Sequence, residues 1–474
     1  LLLLLLLLLL MLLLLLLLLL SLSSTSTSSS SSSSSSSLLK SNKSCAKQIS
    51  FLSHTGDLLA TSHTGTLMYD MSLFYSKRVV DYNDAQRMDN GFTETAPFVG
   101  LHDSGVDATG AGPIGWDSVQ PVLQQRIHEQ YGTVVLNTLQ KSYNATSKWI
   151  AFLEYNVSTK LIENGLSDWM NVEPSNVKEL TGHVFVWMNF NAWSYINTAL
   201  GKESVARQYE TKADTIKKGI NDKFLNAKTG LYNSPTGTFS LTQCSQSLPL
   251  YHRLVPNASV PNASAQLTAA MHEKIAAPSS FEVSSILLQP HMAVGMFCVE
   301  SLLMSLDVNL AYQVTTTTSY PSYGYMLTHN ATTLWESWFF SNNTYSHNHP
   351  MFSGIGVWFF NKLGGINQQK YSKSWSHIVL RPRSPCGMDS QVSDTGSVLV
   401  LPGVRVMLDT VRGRIESNWT RLNVPAGNND VPRFDWAYQI PFGSVGFIDL
   451  PGKELYRVDG GERNVLKNVD LCET

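Results

Sequence analysis

The chain of 474 residues is longer than one ordinary domain, and a hydrophobic content of 43% supplies a sizeable core. A formal net charge of −2, with no basic or acidic run, argues against nucleic acid or a polyanion as the partner and suits a neutral polar ligand. The five cysteines, Cys45, Cys244, Cys298, Cys386 and Cys472, show no CxxC or Cys/His spacing of a zinc site. They read as mostly free or structural, with one pair at most, and neither metal nor cofactor is expected.

Residues 1–20 are almost pure Leu and residues 21–37 almost pure Ser and Thr. The Leu run is long enough to span a bilayer, but the initiating Met, charged n-region and small-residue cleavage site of a signal peptide do not accompany it. Both tracts can be read from pyrimidine-rich repeats. Residues 1–44 are therefore expected to be a low-complexity artefact of the gene assignment, with a signal anchor or unusual signal peptide as the rival. A membrane association follows only from the rival. Asn-x-Ser/Thr sequons at Asn144, Asn156, Asn257, Asn262, Asn330, Asn342 and Asn418 favour a secretory route and a glycoprotein, against chance in an Asn- and Ser-rich chain. Asn330 lies inside the candidate site and is not expected to carry a glycan.

From about residue 45 the composition turns globular. After the turn His54–Asp57, the run Leu67–Tyr75 has helical spacing, and Asp57 is either a site acid or a helix N-cap. The charged stretch Asp84 to Glu94 invites placement at a pocket mouth. Gly112–Val119, with Trp116, opens a helical pair over Val119–Tyr131 and Val134–Phe152. Gly165–Trp169 is a turn whose Asp168 and Trp169 are either site residues or an ordinary turn with a buried ring, and Trp116 has the same two readings. Helices are expected over Thr181–Thr198, Ser204–Phe224, Gln266–Ile275, Met292–Ser305 and Gly354–Leu363. Helix pairs without interleaved strands imply a mainly α domain over residues 45–368. Beyond Gly364-Gly365, short β-prone runs at Ile378–Pro382, Ser397–Leu401, Val404–Leu408 and Arg414–Trp419 predict a small antiparallel β-sandwich over residues 369–474.

The densest chemistry lies in Tyr320-Pro321-Ser322-Tyr323-Gly324-Tyr325-Met326, Ala331-Thr332-Thr333-Leu334-Trp335-Glu336-Ser337-Trp338 and Asn348-His349-Pro350-Met351-Phe352. Flat aromatic faces beside a carboxylate suit a sugar site, because pyranose rings stack on aromatics while the carboxylate handles a proton or water. A buried aromatic core with one satisfied Glu is the plain alternative.

The order of these three runs resembles the inverting α-L-rhamnosidases of glycoside hydrolase family 78. The resemblance implies an (α/α)6 six-hairpin toroid followed by the β-sandwich, a carbohydrate substrate bearing terminal L-rhamnose, and no cofactor. It implies Glu336 as the general base and Asp57 as a pocket acid. It also implies a rhamnose pocket lined by Trp116, Asp168, Trp169, Tyr320, Tyr323, Trp335 and His349. Tyr323 stands where the family commonly has Trp. The stretch from Asp84 to Pro97 is similar to a family loop between helices, which implies a structural or rim role.

One family element is missing. The general acid of the family is the Glu of Asp-Cys-Pro-x-Arg-(Asp)-Glu, and here the equivalent stretch, Ser44 to Phe51, carries no carboxyl group. Asp57, Asp84, Asp89 or Glu94 could replace it only if the fold sets one of them opposite Glu336. The alternatives to a rhamnosidase are a glycan-binding pseudoenzyme and an (α/α)6 glycosidase of other sugar preference. Aglycone, linkage and oligomeric state are not written in the sequence.

Overall fold

The computed structural model describes residues 55–86, 114–159, 162, 167–173, 176–272, 290–341, 345–369, 372–386, 400–422 and 432–472. The Leu/Ser tract, Cys45, His54, Asp89, Glu94, Asn342 and the expected strand start at Ser397 lie outside them. No helix among the described residues is long and apolar enough to cross a membrane.

The helical region begins with α1 (Thr55–Met68) and α2 (Ser72–Ala85). The apolar run across residues 67–75 is thus broken rather than continuous. At the break the Asp70 carboxylate accepts from the Ser72 N–H across 3.0 Å, restarting the helix, while the Met71 N–H donates to the Tyr131 hydroxyl across 2.8 Å. Helix α3 (Val119–Tyr131) ends at Gly132, whose φ of 58° any side chain would strain, and α4 (Leu136–Thr159) follows.

Helices α5 (Lys178–Ala199) and α6 (Glu203–Phe224) are joined by three residues around Gly201, so they must run antiparallel. Ser194 Oγ reaches the Ala206 carbonyl across 2.8 Å, and Phe190 meets Tyr209 at 5.7 Å between ring centres, as that direction requires. In α6 the buried residues are Ala206, Ala213, Ile220 and Phe224, one stripe on an otherwise solvated helix.

Three helices lie side by side in the same direction. Gly56 of α1 sits against Trp116, just ahead of α3, and further along Arg126 donates to Ser62 Oγ across 2.5 Å. Likewise Gly115 abuts Phe185 of α5, and His128 meets the Tyr195 hydroxyl at 2.9 Å. Helix α1 also touches the late part of the domain. Thr64 Oγ1 donates to the Ser353 carbonyl across 2.8 Å, and His63 Nδ1 lies 2.7 Å from Glu300. Among the described residues, early and late parts of the helical region are therefore in contact.

Short helices complete the region: α7 (Gln243–Tyr251), α8 (Val260–Ala270), α9 (Val299–Ser305), α10 (Val308–Thr316), α11 (Tyr323–Thr328) and α12 (Ile355–Trp358), which runs into a π-turn over Phe359–Leu363. Helix was expected from Met292, but it starts only at Val299; residues 292–298 run without helix because their amides are claimed by side chains and carbonyls elsewhere.

The C-terminal part forms two four-stranded sheets, ordered β1-β2-β6-β7 and β3-β4-β5-β8. Their strands are β1 (Ile366–Gln368), β2 (His377–Leu380), β3 (Gly403–Thr410), β4 (Gly413–Arg421), β5 (Phe434–Gln439), β6 (Val445–Ile448), β7 (Tyr456–Asp459) and β8 (Asn464–Val469). Strand β1 precedes residue 369 and pairs with β2. Strands β2 and β6 pair in parallel, His377 opposite Val445, which departs from the all-antiparallel expectation. The chain leaves the first sheet after β2, builds β3 to β5 of the second, and re-enters alongside β2; a long crossover of that kind permits parallel pairing.

Two disulfides, Cys244–Cys298 and Cys386–Cys472, correct the expectation of one pair at most. Their partners are 54 and 86 residues apart, so proximity comes from the fold and not from spacing.

A single hydrophobic cluster runs from Trp338, Phe352 and Trp358 to Ile415, Trp419 and Phe434 of the sheets. Trp419 is fully buried, and its indole N–H donates to the Leu363 carbonyl across 2.9 Å, tying β4 to the last helical turn. Trp419→Ala is expected to cost about 3–5 kcal/mol of stability, read as a fall in the denaturant midpoint.

Candidate active site

Two extended segments build the centre of the site. The Glu336 N–H donates to the Ser346 carbonyl across 2.9 Å and the His349 N–H to the Leu334 carbonyl across 2.8 Å, so 334–336 and 346–349 run antiparallel. That pairing brings Glu336 and His349 together. The Ser346 N–H donates to Glu336 Oε2 across 2.9 Å, and His349 Nδ1 lies 3.7 Å from the same oxygen. On the other side of the ring, His349 Nε2–H donates to Asp57 Oδ1 across 2.6 Å. Asp57 is in the first turn of α1, where the helix dipole favours a carboxylate.

His349 is thus a buried imidazole between two carboxylates. Burial by itself favours the neutral ring and is the largest influence, but Asp57 and Glu336 together outweigh it and hold the imidazole above the ordinary histidine value. Glu336 keeps 19% of its side chain exposed, so it is the member of the trio that a ligand can reach.

The second group is reached through Gly56, beside Asp57. A Cβ on Gly56 would lie 2.5 Å from Trp116 Nε1, so only glycine lets Trp116 pack there. Trp116 stands edge-on to Trp169, 6.2 Å between centres, and to Phe297, 5.1 Å. Asp168 is turned away from solvent, accepting from the Gly295 N–H across 2.6 Å and the Phe297 N–H across 3.0 Å. Its placement is that of a clamp on the backbone. Burial pushes its pKa up to about 7 against those two bonds and a third from Cys298.

The aromatic residues form a third group. Rings pass from Tyr320 to Tyr325 at 5.5 Å, on through His329 to Phe340, and from Phe340 to Trp335 at 5.4 Å. Trp335 stacks on His347 at 4.9 Å. The Tyr320 hydroxyl is buried with no hydrogen-bond partner among the described residues, a polar group that a ligand can satisfy. Tyr323 is 1% exposed, as buried as Trp335 at 2%; its hydroxyl donates to the Phe352 carbonyl across 2.5 Å, and its ring meets Trp338 at 5.2 Å.

Among the described residues, the group of metal-ligating types closing to within 4.8 Å is Asp168, Cys244 and Cys298. Its two sulfurs are bonded to each other and offer no thiolate. Asp84 is exposed on α2, and the structure describes no contact that turns it toward Glu336.

The profile of the bacterial α-L-rhamnosidase six-hairpin glycosidase domain matches residues 51–363, well over half of the chain. The chain belongs to that family. It is 25% identical over 345 residues to an α-L-rhamnosidase of Streptomyces avermitilis, covering 70% of this chain and 30% of that one. It is 24% identical over 399 residues to an α-L-rhamnosidase of Formosa agariphila, covering 80% and 38%. Among solved structures, the α-L-rhamnosidase from Dictyoglumus thermophilum superposes with a TM-score of 0.70 at 23% identity, over 88% of this chain and 45% of that one. The Streptomyces avermitilis α-L-rhamnosidase complexed with L-rhamnose gives 0.68 at 21%, over 87% and 38%. At these identities the superpositions show a shared fold. The chain spans about a third of the length of the curated relatives.

In this rhamnosidase-family domain the sequence reading passed over the segment that joins the three groups, residues 291–298. Gln243 holds it as a neighbouring strand would, its amide donating to the His291 carbonyl and accepting from the Ala293 N–H, each across 2.8 Å. The Val172 N–H donates to the Ala293 carbonyl and the Trp338 indole to the Val294 carbonyl, each across 2.7 Å. A Cβ on Gly295 would overlap the Trp169 carbonyl. The available signal was that glycine inside an apolar run, a mark of close backbone approach.

Glu173 was also missed. It accepts from the Gln243 N–H across 2.6 Å, and burial, reinforced by Asp168, pushes it up to about 8. Asp168 and Glu173 both hold protons more tightly when folded, so the folded state binds more protons above the ordinary carboxyl range and stability falls as pH rises toward 7 to 8. Glu173→Gln should flatten that fall: between about pH 5 and 8 the variant loses less Tm than the parent.

Proposed function

We propose that this chain is the catalytic domain of an inverting α-L-rhamnosidase that releases terminal L-rhamnose from glycosides, its helix pairs closed into an (α/α)6 barrel. The observation that carries the reading is Glu336, partly open, held against the buried His349–Asp57 pair beside a path of aromatic rings. Membership of the rhamnosidase six-hairpin family and the likeness to proteins named α-L-rhamnosidase supply the sugar class.

Glu336 takes a proton from a water, and the resulting nucleophile attacks the anomeric carbon on the face opposite the leaving oxygen. The bond to the aglycone breaks as the new C–O bond forms, inverting the centre. His349, whose proton affinity its two carboxylates raise, holds the Glu336 carboxylate in place, and Asp57 holds His349. Sugar hydroxyls find hydrogen-bond capacity at Tyr320, and the rings of Trp116, Trp169 and Trp335 supply the apolar walls. No step calls on a cofactor.

The leaving oxygen needs a proton, and the stretch Ser44 to Phe51 carries no carboxyl group. Turnover should therefore depend steeply on the leaving group, with an activated aryl α-L-rhamnoside cleaved far faster than a rhamnosyl disaccharide. Proton NMR should show the β-anomer of rhamnose forming first. Glu336→Gln should lower kcat/KM on the aryl substrate by about 10²–10⁴-fold. His349→Gln, which releases the carboxylate without removing it, should lower kcat by about 10²-fold with a smaller change in KM.

A second reading, favoured by the same missing carboxyl group, is a rhamnose-binding protein without turnover. Saturable rhamnose binding by calorimetry, together with an aryl rhamnoside left uncleaved, would establish it over the hydrolase.

A further inference from the structure

We propose that the surface turn over residues 257–264 is a paired N-glycosylation site, carrying N-linked oligosaccharide at Asn257 and Asn262. Both asparagines head sequons, Asn257-Ala258-Ser259 and Asn262-Ala263-Ser264, and both side chains are exposed. Asn257 opens the 3₁₀ turn Asn257–Ser259, and Asn262 sits in the first turn of α8. Ala263 beside it is fully buried, while Asn262, whose Cβ packs against the turn at Gly230, keeps an exposed side chain. Asn262 Nδ2 donates one hydrogen to the Lys228 carbonyl across 3.3 Å, and the amide has a second to give up.

The disulfides supply an independent observation. Four of the five cysteines are paired, Cys244 with Cys298 and Cys386 with Cys472. Such pairs persist in oxidising, secretory compartments and are rare in the cytosol. The secretory route is also where asparagine meets its glycan donor.

The position suits a bulky group. Helix α7 starts at Gln243, whose amide holds the site segment at His291 and Ala293, and ends at Tyr251. Nine residues of helix, about 13 Å along its axis, separate Gln243 from the chain that leads into the turn. By contrast, Asn418 is half-buried within β4, whereas Asn144 is exposed but lies in the middle of α4 rather than in a turn.

In the transfer, Nδ2 of the asparagine bonds to the anomeric carbon of the terminal N-acetylglucosamine of a lipid-pyrophosphate-linked oligosaccharide. The bond from that carbon to the pyrophosphate oxygen breaks, the lipid pyrophosphate leaves, and one amide proton passes to a base of the transferase.

The test uses the full chain purified from its natural source. Enzymatic release of N-glycans in ¹⁸O-water, followed by peptide mass spectrometry, marks each occupied asparagine as labelled aspartate. Label at both Asn257 and Asn262 upholds the paired site; absence at either overturns it. An N257Q/N262Q double variant should lose the corresponding mass on a gel while its kcat/KM on an aryl rhamnoside stays within twofold of the parent. A larger fall would overturn the placement away from the site. The mass readout is independent of any hydrolysis, so it succeeds or fails separately from the rhamnosidase reading.

Discussion

The site depends on one buried imidazole. His349 joins Asp57, in the first described helix, to Glu336, far along the chain. Removing charged groups from water is costly and is offset only where geometry is good and the remaining lone pairs are bonded. Both conditions are arranged by neighbours. The extended pair 334–336 and 346–349 sets the spacing of Glu336 and His349, and the Ser346 N–H takes one Glu336 oxygen. The α1 dipole favours charge on Asp57. A raised proton affinity on His349 is the electrostatic result of that arrangement.

The same logic governs the walls of the site. Residues 291–298 cross the interior without helix, so each backbone group must find a partner in its surroundings. Gln243, Val172, Trp338, Asp168 and the Trp169 carbonyl provide them in order, and the Cys244–Cys298 bond closes the far end. Asp168 therefore serves the site as a clamp on backbone amides rather than as an open carboxylate. The burial that makes the clamp firm is what drives its pKa upward, and Glu173, bound to the N–H of Gln243, carries the same penalty.

The β-sandwich is joined to this machinery by packing. Trp419 reaches from β4 to Leu363, and the core cluster passes without a break from Trp338 and Phe352 to Phe434. Trp338, in turn, stacks on Phe352 at 4.1 Å and holds Val294. Sheet, last helical turn and site segment therefore share one apolar support, so a core change in the sheets is felt at the site through volume rather than charge.

What the sequence by itself determined was whatever depends on neighbours along the chain. Helices α3, α5 and α6 and strands β2 to β4 follow from apolar spacing, with ends within a few residues of expectation, because side-chain periodicity is a local property. The ordered run from Tyr320 to Phe352 marked Glu336 as a candidate because its residues are neighbours along the chain. Tertiary structure decided what needs residues far apart to meet. Two apolar runs with helical spacing, 67–75 and 292–298, gave up that spacing to distant hydrogen-bond partners, and Tyr323 is buried against Phe352 and Trp338. The disulfide pairing, the parallel join of β2 to β6 and the Asp57–His349–Glu336 contact each link positions that no local pattern connects. Such contacts form only once the chain has closed its long loops, and their geometry is set by the packing of the whole domain.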